Sequence, residues 1–416
     1  MSCDRPLSSP VRSGTPAPEP PGAGRLTLFF AVNYFAQGML GIVFEPLSYL
    51  LKDDLGLSAG QSAVFVAWIT FPFLIKPLFG LLTDMFAWKG LRRMPHIALA
   101  SALPTAALLG LAAASRHRYW WLLAGMAAVN AGVVLADVIC DGVMVERGKA
   151  TESTGFYQAV QIGTLYSTLV LTGIGGGWLT AHVPMRWIFA MAAAFPAMIL
   201  VSSLFVVDLP SAQPARNATQ ALAMLVKEKR FWTLSLVILL WNFNPFLGTA
   251  QFYYQTGHLG LGPKFIGLLS TAGGVAGVLG AACYGRLEGR LWSVGAIARS
   301  AVWFGAPLSL LYLFYQGPVS AILLTVLFGL TGVFFRLSFM DLAARSCPGF
   351  AEATAFAAFM SVFNISAYVS NTVGGKLYDV LSAGAGSYPA AAVLMLIGSA
   401  CTALCWPLVR SLSPSS

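Results

Sequence analysis

The chain consists mostly of apolar stretches of about 20 residues, separated by short polar loops. A helix that crosses the hydrocarbon core of a bilayer needs ~20 mostly apolar residues, so each stretch is long enough for one membrane span. Strands of a membrane barrel would instead alternate apolar and polar residues. We therefore predict an all-α membrane protein with about twelve transmembrane helices. The predicted spans, numbered one to twelve, lie near 26–51, 62–83, 95–114, 119–144, 153–180, 187–207, 231–256, 263–285, 293–315, 318–344, 352–378 and 388–409.

The amino-acid composition excludes a soluble globular protein. Of the 416 residues, 57% are apolar and only 10% are charged, whereas soluble domains carry about 25% charged residues. The net charge of +9 could suggest a nucleic-acid partner, but the basic residues gather in every second loop, such as the run at 227–230. Cytoplasmic loops of membrane proteins carry this excess of Lys and Arg. We therefore expect a multi-pass protein of the cell (inner) membrane with both termini cytoplasmic, a monomer in contact with lipid and not with nucleic acid.

The two halves of the sequence resemble each other. G-V-V-L-A-D-V-I-C-D at 132–141 aligns with G-V-F-F-R-L-S-F-M-D at 332–341, and F-E-P at 44–46 aligns with F-N-P at 243–245. Parallel repeats of this kind place a substrate site between the halves, near the bilayer midplane. We predict a disordered, proline-rich cytoplasmic tail at 1–24, a six-helix bundle at 25–207, a cytoplasmic linker at 208–230 and a second six-helix bundle at 231–411.

Signals for enzymes, metals and cofactors are missing from the sequence. The cysteines form no C-x-x-C pair, and Cys401 and Cys405, one helical turn apart, are interpreted as small core residues. No H-E-x-x-H, G-x-S-x-G or P-loop motif occurs. We therefore expect no catalytic residues, no metal site and no cofactor.

Span two contains I-K-P-L-F-G-L-L-T-D and closes with Asp84, and Arg92 and Arg93 follow in the next loop. A carboxylate at the end of a span can pair with a basic group or cap a neighbouring helix. We expect these three residues to hold the cytoplasmic face shut and to release as the halves rock. Asp141 and its repeat partner Asp341 are expected to act as further gating or capping residues.

Lys76 is a cation within the cytoplasmic half of span two, and two interpretations of it stay open. It can pair with a carboxylate of span four, such as Asp141 or Glu146, or it can attract an anionic substrate. Lys376 and Asp379, near the outer end of span eleven, are expected to snorkel to the membrane interface.

Three further ionisable residues lie within spans. An ionised side chain at the bilayer centre costs at least ~2.5–3.5 kcal/mol on insertion scales, so it must face protein or water. Glu45 precedes Pro46 in span one and is a candidate proton site, although it could simply reach water near the interface. Asp137 of span four and Arg336 of span ten could face each other across a cavity, as an ion pair or as substrate ligands. Pairing within each half is the alternative.

Polar and aromatic side chains add weaker candidates. Trp241 and Asn244 lie in span seven, where a flat heterocycle could stack on rings while amides contact its edge. Gln158 in span five and Asn364 in span eleven could also face the cavity. Hydrogen bonds between helices are the commoner role of such amides.

Five motifs resemble one known family. They are Y-F-A-Q-G at 34–38, L-K-D-D-L-G-L-S at 51–58, I-K-P-L-F-G-L-L-T-D at 75–84, D-V-I-C-D-G-V-M-V-E-R at 137–147 and F-F-R-L-S-F-M-D-L-A-A-R-S-C-P at 334–348. Together they resemble the folate–biopterin transporter family of the major facilitator superfamily, from about residue 28 to the last span.

The resemblance implies two pseudo-symmetric six-helix halves and secondary active transport by alternating access. It implies a small organic substrate, folate-like or pterin-like, moved with protons as in a symporter. F-E-P at 44–46 departs from the family pattern, which puts the substrate in doubt. A permease for a muropeptide or a sugar, or a membrane assembly factor that transports nothing, are the alternatives.

Overall fold

The computed structural model describes residues 23–76, 78–79, 83, 94–151, 154–202, 227–287, 293–346 and 352–410. Across these ranges the regular structure is helical and no strand occurs, which confirms the prediction of an all-α protein. Asp84, Arg92, Arg93, residues 1–22 of the predicted tail and residues 208–226 of the predicted linker lie outside the described residues, as do 203–207. The α-helices are α1 Ala23–Met39, α2 Phe44–Tyr49, α3 Ala59–Leu74, α4 Met94–Ala113, α5 Tyr119–Thr151, α6 Thr154–His182, α7 Met185–Ala192, α8 Ala194–Ser202, α9 Lys229–Asn242, α10 Thr249–Tyr253, α11 Pro263–Leu287, α12 Val294–Ser309, α13 Pro318–Arg345, α14 Glu352–Ala385 and α15 Ser387–Arg410.

Many of these helices have the length and apolarity of membrane spans. Within the described part of the chain, seven helical stretches meet both criteria, and two shorter apolar helices, Ala59–Leu74 and Met185–Val201, accompany them. The chain is therefore a multi-pass membrane protein, and the count of twelve spans stays a prediction. The seven stretches are Gly24–Asp54, His96–Ala113, Tyr119–Met144, Pro263–Leu287, Gly295–Phe314, Pro318–Ala343 and Ser387–Val409.

Each half of the chain packs around its own apolar cores. In the N-terminal half, Phe65 and Phe189 are fully buried in one cluster, and α1 and α5 contribute to a second. In the C-terminal half, Phe359 belongs to a third cluster and Phe246 to a fourth. Ala59 of α3 also belongs to that fourth cluster. Among the described residues, it is the one member of these clusters that comes from the opposite half of the chain. The cores thus hold each bundle together and leave the contact between bundles to other residues.

Two helix pairs, α6 with α11 and α3 with α14, form the main seams between the halves. Their contacts depend on small residues, which let helix backbones approach closely. A Cβ atom on Gly177 of α6 would lie 2.6 Å from the Pro263 carbonyl oxygen and 3.0 Å from Cα of Gly267. On the other seam, a Cβ atom on Gly375 would lie 2.5 Å from Cβ of Ala63. Both seams therefore bring backbone directly against backbone.

Spans one and seven, which align as repeats, differ in the structure. Span seven breaks after Asn242, because Phe243 is extended, and it resumes at Thr249 after Gly248, whose φ is +90°. Span one stays helical through Pro46, with a 3₁₀ turn before α2 and a π-helical turn after it. Discontinuous helices in transporters mark the region of the binding site.

Two ends of the bundle must be distinguished. We call the end at which α1 begins and α15 ends the terminal face, and the opposite end the distal face. The connections at 55–58 and 259–262 lie at the distal face, as do the C-terminal end of α14 and the N-terminal end of α11.

Candidate functional site

Lys76, just beyond the last residue of α3, is the centre of an ion cluster inside the N-terminal half. Its Nζ atom lies 2.5 Å from Oδ2 of Asp137 and 3.0 Å from Oδ2 of Asp141, both on α5. The hydroxyl of Tyr34 on α1 donates to Oδ1 of Asp141 at 3.3 Å. Because the two aspartates are one helical turn apart, a single cation can hold both. We call Tyr34, Lys76, Asp137 and Asp141 the ion cluster.

The ion cluster shows which of the open alternatives this structure contains. Lys76 pairs within its own half, with the Asp141 carboxylate that the sequence indicated and with Asp137 as well. No ion pair joins Asp137 to Arg336 among the described residues. The side chains of Lys76, Asp137 and Asp141 are 27%, 19% and 43% exposed, so the cluster is largely enclosed by protein within the spans.

Arg336 lies in the middle of α13, yet its side chain is exposed. The guanidinium stands 5.4 Å from the ring centroid of Phe363 on α14 and interacts electrostatically with Tyr166 of the opposite half. No carboxylate lies within 4.0 Å of it in the described part of the chain. Neighbours from both halves place Arg336 between the bundles.

Glu45 lies on α2, against α6. Its Oε1 atom is buried and has no hydrogen-bond partner among the described residues. A Cβ atom on Gly176 of α6 would lie 3.5 Å from Glu45 Oε2, so little space separates the two helices. One turn later, the hydroxyl of Tyr49 is likewise buried without a partner, and its ring meets Phe252 of α10 edge-on at 5.0 Å. Glu45 thus faces the region where both halves meet.

Of the two candidates in span seven, Asn244 stabilises the break in that span and Trp241 packs against a core. Asn244 Oδ1 accepts from the Phe246 backbone N–H at 3.2 Å, and the amide lies against α15, where a Cβ atom on Gly398 would be 3.0 Å away. The Trp241 ring lies 4.8 Å from Phe339 of α13, within the core of the C-terminal half.

The remaining candidates are dispersed. Asp341 accepts from the Tyr284 hydroxyl of α11 at 3.0 Å, so it too is held by a tyrosine, although Tyr284 lies in span eight and Tyr34, the partner of Asp141, lies in span one. Asn364 of α14 is half-buried, and the side chain of Gln158 lies outside the described residues.

Side-chain contacts between the halves close the distal face. Ser58 caps the N-terminus of α3, and its Oγ atom donates to Oδ2 of Asp379 on α14. The same carboxylate oxygen accepts from the backbone N–H of Gly60 at 2.8 Å. The expectation that Asp379 snorkels to the interface is therefore wrong, because its carboxylate binds the N-terminal end of a helix in the opposite half.

Two further side chains, those of Tyr253 and Lys52, complete this closure. The Tyr253 hydroxyl donates to the Leu57 carbonyl at 2.5 Å and lies 2.7 Å from Ser62 Oγ. Lys52 Nζ donates to Thr256 Oγ1 at 2.8 Å. We call these contacts, with those of Asp379, the distal seal. Sequence reasoning did not find it, although the Ser58–Gln61 capping box marks the start of α3.

Comparison with known proteins identifies the family. Residues 37–289 and 319–415 match the profile that describes the BT1 family. The chain belongs to the BT1 family. A folate-biopterin transporter of Synechocystis sp. is 28% identical over 407 residues, covering 90% of this chain and 79% of that protein. Probable folate-biopterin transporter 4 of Arabidopsis thaliana is 26% identical, covering 85% and 88%. The resemblance predicted from the motifs is confirmed, and this BT1-family chain is a transporter homologue and not an enzyme.

Solved structures confirm the fold of this BT1-family chain. The nucleoside transporter NupG superposes with a TM-score of 0.71 at 14% identity, covering 94% of this chain and all (100%) of that one. A D-xylose-proton symporter superposes with a TM-score of 0.68 at 14% identity, covering 91% and 95%. Both are major facilitator transporters. At this identity the likeness concerns the fold alone.

Proposed function

We propose that the chain is a secondary active transporter that moves a small organic metabolite, folate-like or pterin-like, by alternating access between two six-helix halves. The observation that carries this proposal is the position of the ion cluster and Arg336. These ionised groups lie within spans, and we take them to line a crevice between the halves, which the distal seal joins at one end. A protein with only a structural role has no need of such costly groups on cavity helices.

The proposed orientation places the distal face outside the cell and the terminal face in the cytoplasm, in a fold of twelve spans. The structure then represents the state closed to the outside. Breaking the distal seal while contacts form at the terminal face would open the crevice to the outside. Asp84, Arg92 and Arg93 are proposed to belong to those terminal contacts.

Arg336 is proposed to attract the negative group of the solute. It is a permanent cation in a crevice of low dielectric constant, and no carboxylate of the described chain neutralises it. An anionic solute would supply the missing charge. The neighbouring Phe363 ring would hold the guanidinium in place through the cation–π contact.

Protons are proposed to bind at carboxylates in two places. In the ion cluster, two carboxylates share one ammonium group, so one of them can take a proton without leaving Lys76 unpaired. Glu45 is buried without a partner, and a buried unpaired carboxylate is stable in its neutral form. Opening of the distal seal would hydrate Glu45 and let it exchange its proton with the outside.

The experiment is uptake into proteoliposomes that contain the purified full-length chain and an imposed pH gradient. We expect accumulation of folate or biopterin, compared with adenosine, xylose and a muropeptide. Arg336→Gln is expected to lower uptake of an anionic solute at least tenfold. The matched control is Arg286→Gln, since Arg286 is an exposed arginine that bonds the Ala282 carbonyl of its own helix. Absence of uptake of every solute, with or without the gradient, would refute the transport proposal.

A further inference from the structure

A cavity of about 200 Å³ lies inside the N-terminal half, between α1, α3, α4 and α5. This volume is below the ~300–1,000 Å³ of pockets that enclose a complete drug-sized ligand. It therefore suits one ring system and not an entire large solute. Its wall includes Gln37, Phe44, Thr70, Phe73, Asn130 and Val133. We call this space the Gln37 cavity.

Gln37 belongs to the cavity wall and carries an unused hydrogen-bond donor. Its Nε2 atom is buried and has no acceptor among the described residues. Two other polar side chains of the wall are already bonded to their own helices. Thr70 Oγ1 donates to the Val66 carbonyl at 2.7 Å, and Asn130 Nδ2 donates to the Met126 carbonyl at 2.9 Å. A buried unsatisfied donor is destabilising, so the amide of Gln37 is suited to a ligand that carries an acceptor.

The cavity adjoins the ion cluster on three helices. Gln37 follows Tyr34 by three residues on α1, and Val133 precedes Asp137 by four residues on α5. Phe73 of α3 likewise precedes Lys76 by three residues. Three or four residues of helix correspond to about 4.5–6 Å of rise. A ligand in the cavity would thus lie about one helical turn from the cluster, on its distal side.

Aromatic surface is available at the wall. Phe44 is 40% exposed and Phe73 is half-buried, although both belong to membrane-spanning segments. Accessible phenyl rings beside an unpaired amide suit a flat heteroaromatic ring, whose faces contact the phenyl groups while its edge accepts a hydrogen bond.

We propose that the Gln37 cavity holds the planar heteroaromatic ring of the transported solute, with an edge acceptor bonded to Gln37 Nε2. This inference rests on the proposed function, because it names a binding subsite for that solute. The polar remainder of the solute extends toward Lys76 and the crevice. Binding of the ring one turn from the ion cluster gives the solute a direct influence on that cluster.

The test is cysteine protection in the full-length chain. Val133→Cys is made with all native cysteines replaced except Cys283, which is exposed on α11 and reports on labelling elsewhere. A small membrane-permeant thiol reagent is applied with biopterin, with folate, or with p-aminobenzoylglutamate, which keeps the carboxylates of folate and lacks its pterin ring. We expect the two pterins to slow labelling at Val133→Cys at least fivefold and to leave Cys283 unchanged. Equal protection by p-aminobenzoylglutamate, or no protection by either pterin, would overturn the proposal.

A second pair of variants tests the hydrogen bond itself. Gln37→Met keeps the length of the side chain and removes the donor, so the pterin concentration needed for protection should rise about tenfold, the equivalent of one hydrogen bond of about 1.4 kcal/mol. Thr105→Val is the matched control, since the Thr105 hydroxyl donates to the Ser101 carbonyl of its own helix at 2.7 Å and Thr105 is not part of the cavity wall, so protection should stay unchanged. Protection of Gln37→Met at wild-type concentrations would contradict the assignment of Gln37.

Uptake measured on the same preparations separates the two proposals. Folate uptake without protection at Val133→Cys would refute the cavity and leave the transport function standing. Protection without uptake of any solute would refute the transport function and leave the binding site standing.

Discussion

The distal seal predicts that one carboxylate controls how often the crevice opens at that face. Asp379→Ala removes two hydrogen bonds that cross between the halves, from Ser58 Oγ and from the Gly60 N–H. It also removes a negative charge from the N-terminal end of α3. We therefore expect the closed state to lose stability relative to the open state.

The magnitude follows from these contacts. Hydrogen bonds to charged groups contribute about 1.5–3 kcal/mol each when buried, and a charge at a helix terminus about 0.3–1 kcal/mol. Asp379 is half-buried and water replaces the lost bonds in the open state, so we expect a net loss of about 2 kcal/mol. At 1.4 kcal/mol for each factor of ten, the open population rises about 30-fold.

The assay is labelling of Phe252→Cys, just beneath the seal, by a membrane-impermeant thiol reagent applied to the distal face. When opening is rapid, the labelling rate follows the open population, so Asp379→Ala should raise the rate about 30-fold. The labelling rate with Asp379→Asn should lie between those with Asp379 and with Asp379→Ala, because an amide oxygen still accepts a hydrogen bond. The matched control is Asp54→Ala, since Asp54 is an exposed carboxylate of the same face. Equal labelling rates in Asp379→Ala and Asp54→Ala would refute the reasoning.

Three more changes test the rest of the site. Lys76→Met leaves two carboxylates without their cation and should lower the free energy of unfolding by about 2 kcal/mol. The double variant Lys76→Met/Asp137→Asn should lose less stability than the sum of the two single variants, which a double-mutant cycle in thermal unfolding would measure. Gly177→Ala places a Cβ atom 2.6 Å from the Pro263 carbonyl oxygen and should reduce the yield of folded protein in size-exclusion chromatography, whereas Gly163→Ala, with nothing within 4 Å, should not. Glu45→Gln keeps the shape of the side chain and removes the exchangeable proton. Exchange of solute should persist, while accumulation driven by a pH gradient should fall. Unchanged accumulation would argue against Glu45 as a proton site.

The sequence predicts features that are local. An apolar stretch long enough to span a bilayer is visible in any window of about 20 residues, so the helical fold follows from it. The sequence also offers the pairing of Lys76 with Asp141 as one of two interpretations, because a cation within a span needs a carboxylate nearby. Asp137 was assigned a different hypothetical partner, since nothing in the sequence shows that one lysine holds both aspartates.

Features that depend on how the halves dock were not predictable. Ser58 and Asp379 are 321 positions apart, and no pattern in either segment indicates the other. The repeat of F-E-P and F-N-P suggested equivalent geometry, yet Asn244 stabilises a break through its own side chain while span one stays helical. Gln37 is not among the candidates predicted from the sequence, because only coordinates show that its hydrogen-bond donor is unused.

The glycine contacts between α6 and α11 have a mechanical consequence. Gly173 and Gly177 meet Gly267 backbone against backbone, and the Thr271 side chain beside them donates to the Val170 carbonyl at 3.1 Å. Because most of this contact is made by backbone, the bundles can rotate here with few changes of rotamer, and this line would serve as a fulcrum for their relative rotation. Bulk added along the fulcrum would raise the activation barrier to reorientation and slow turnover, while the equilibrium affinity for solute, set elsewhere, would be preserved.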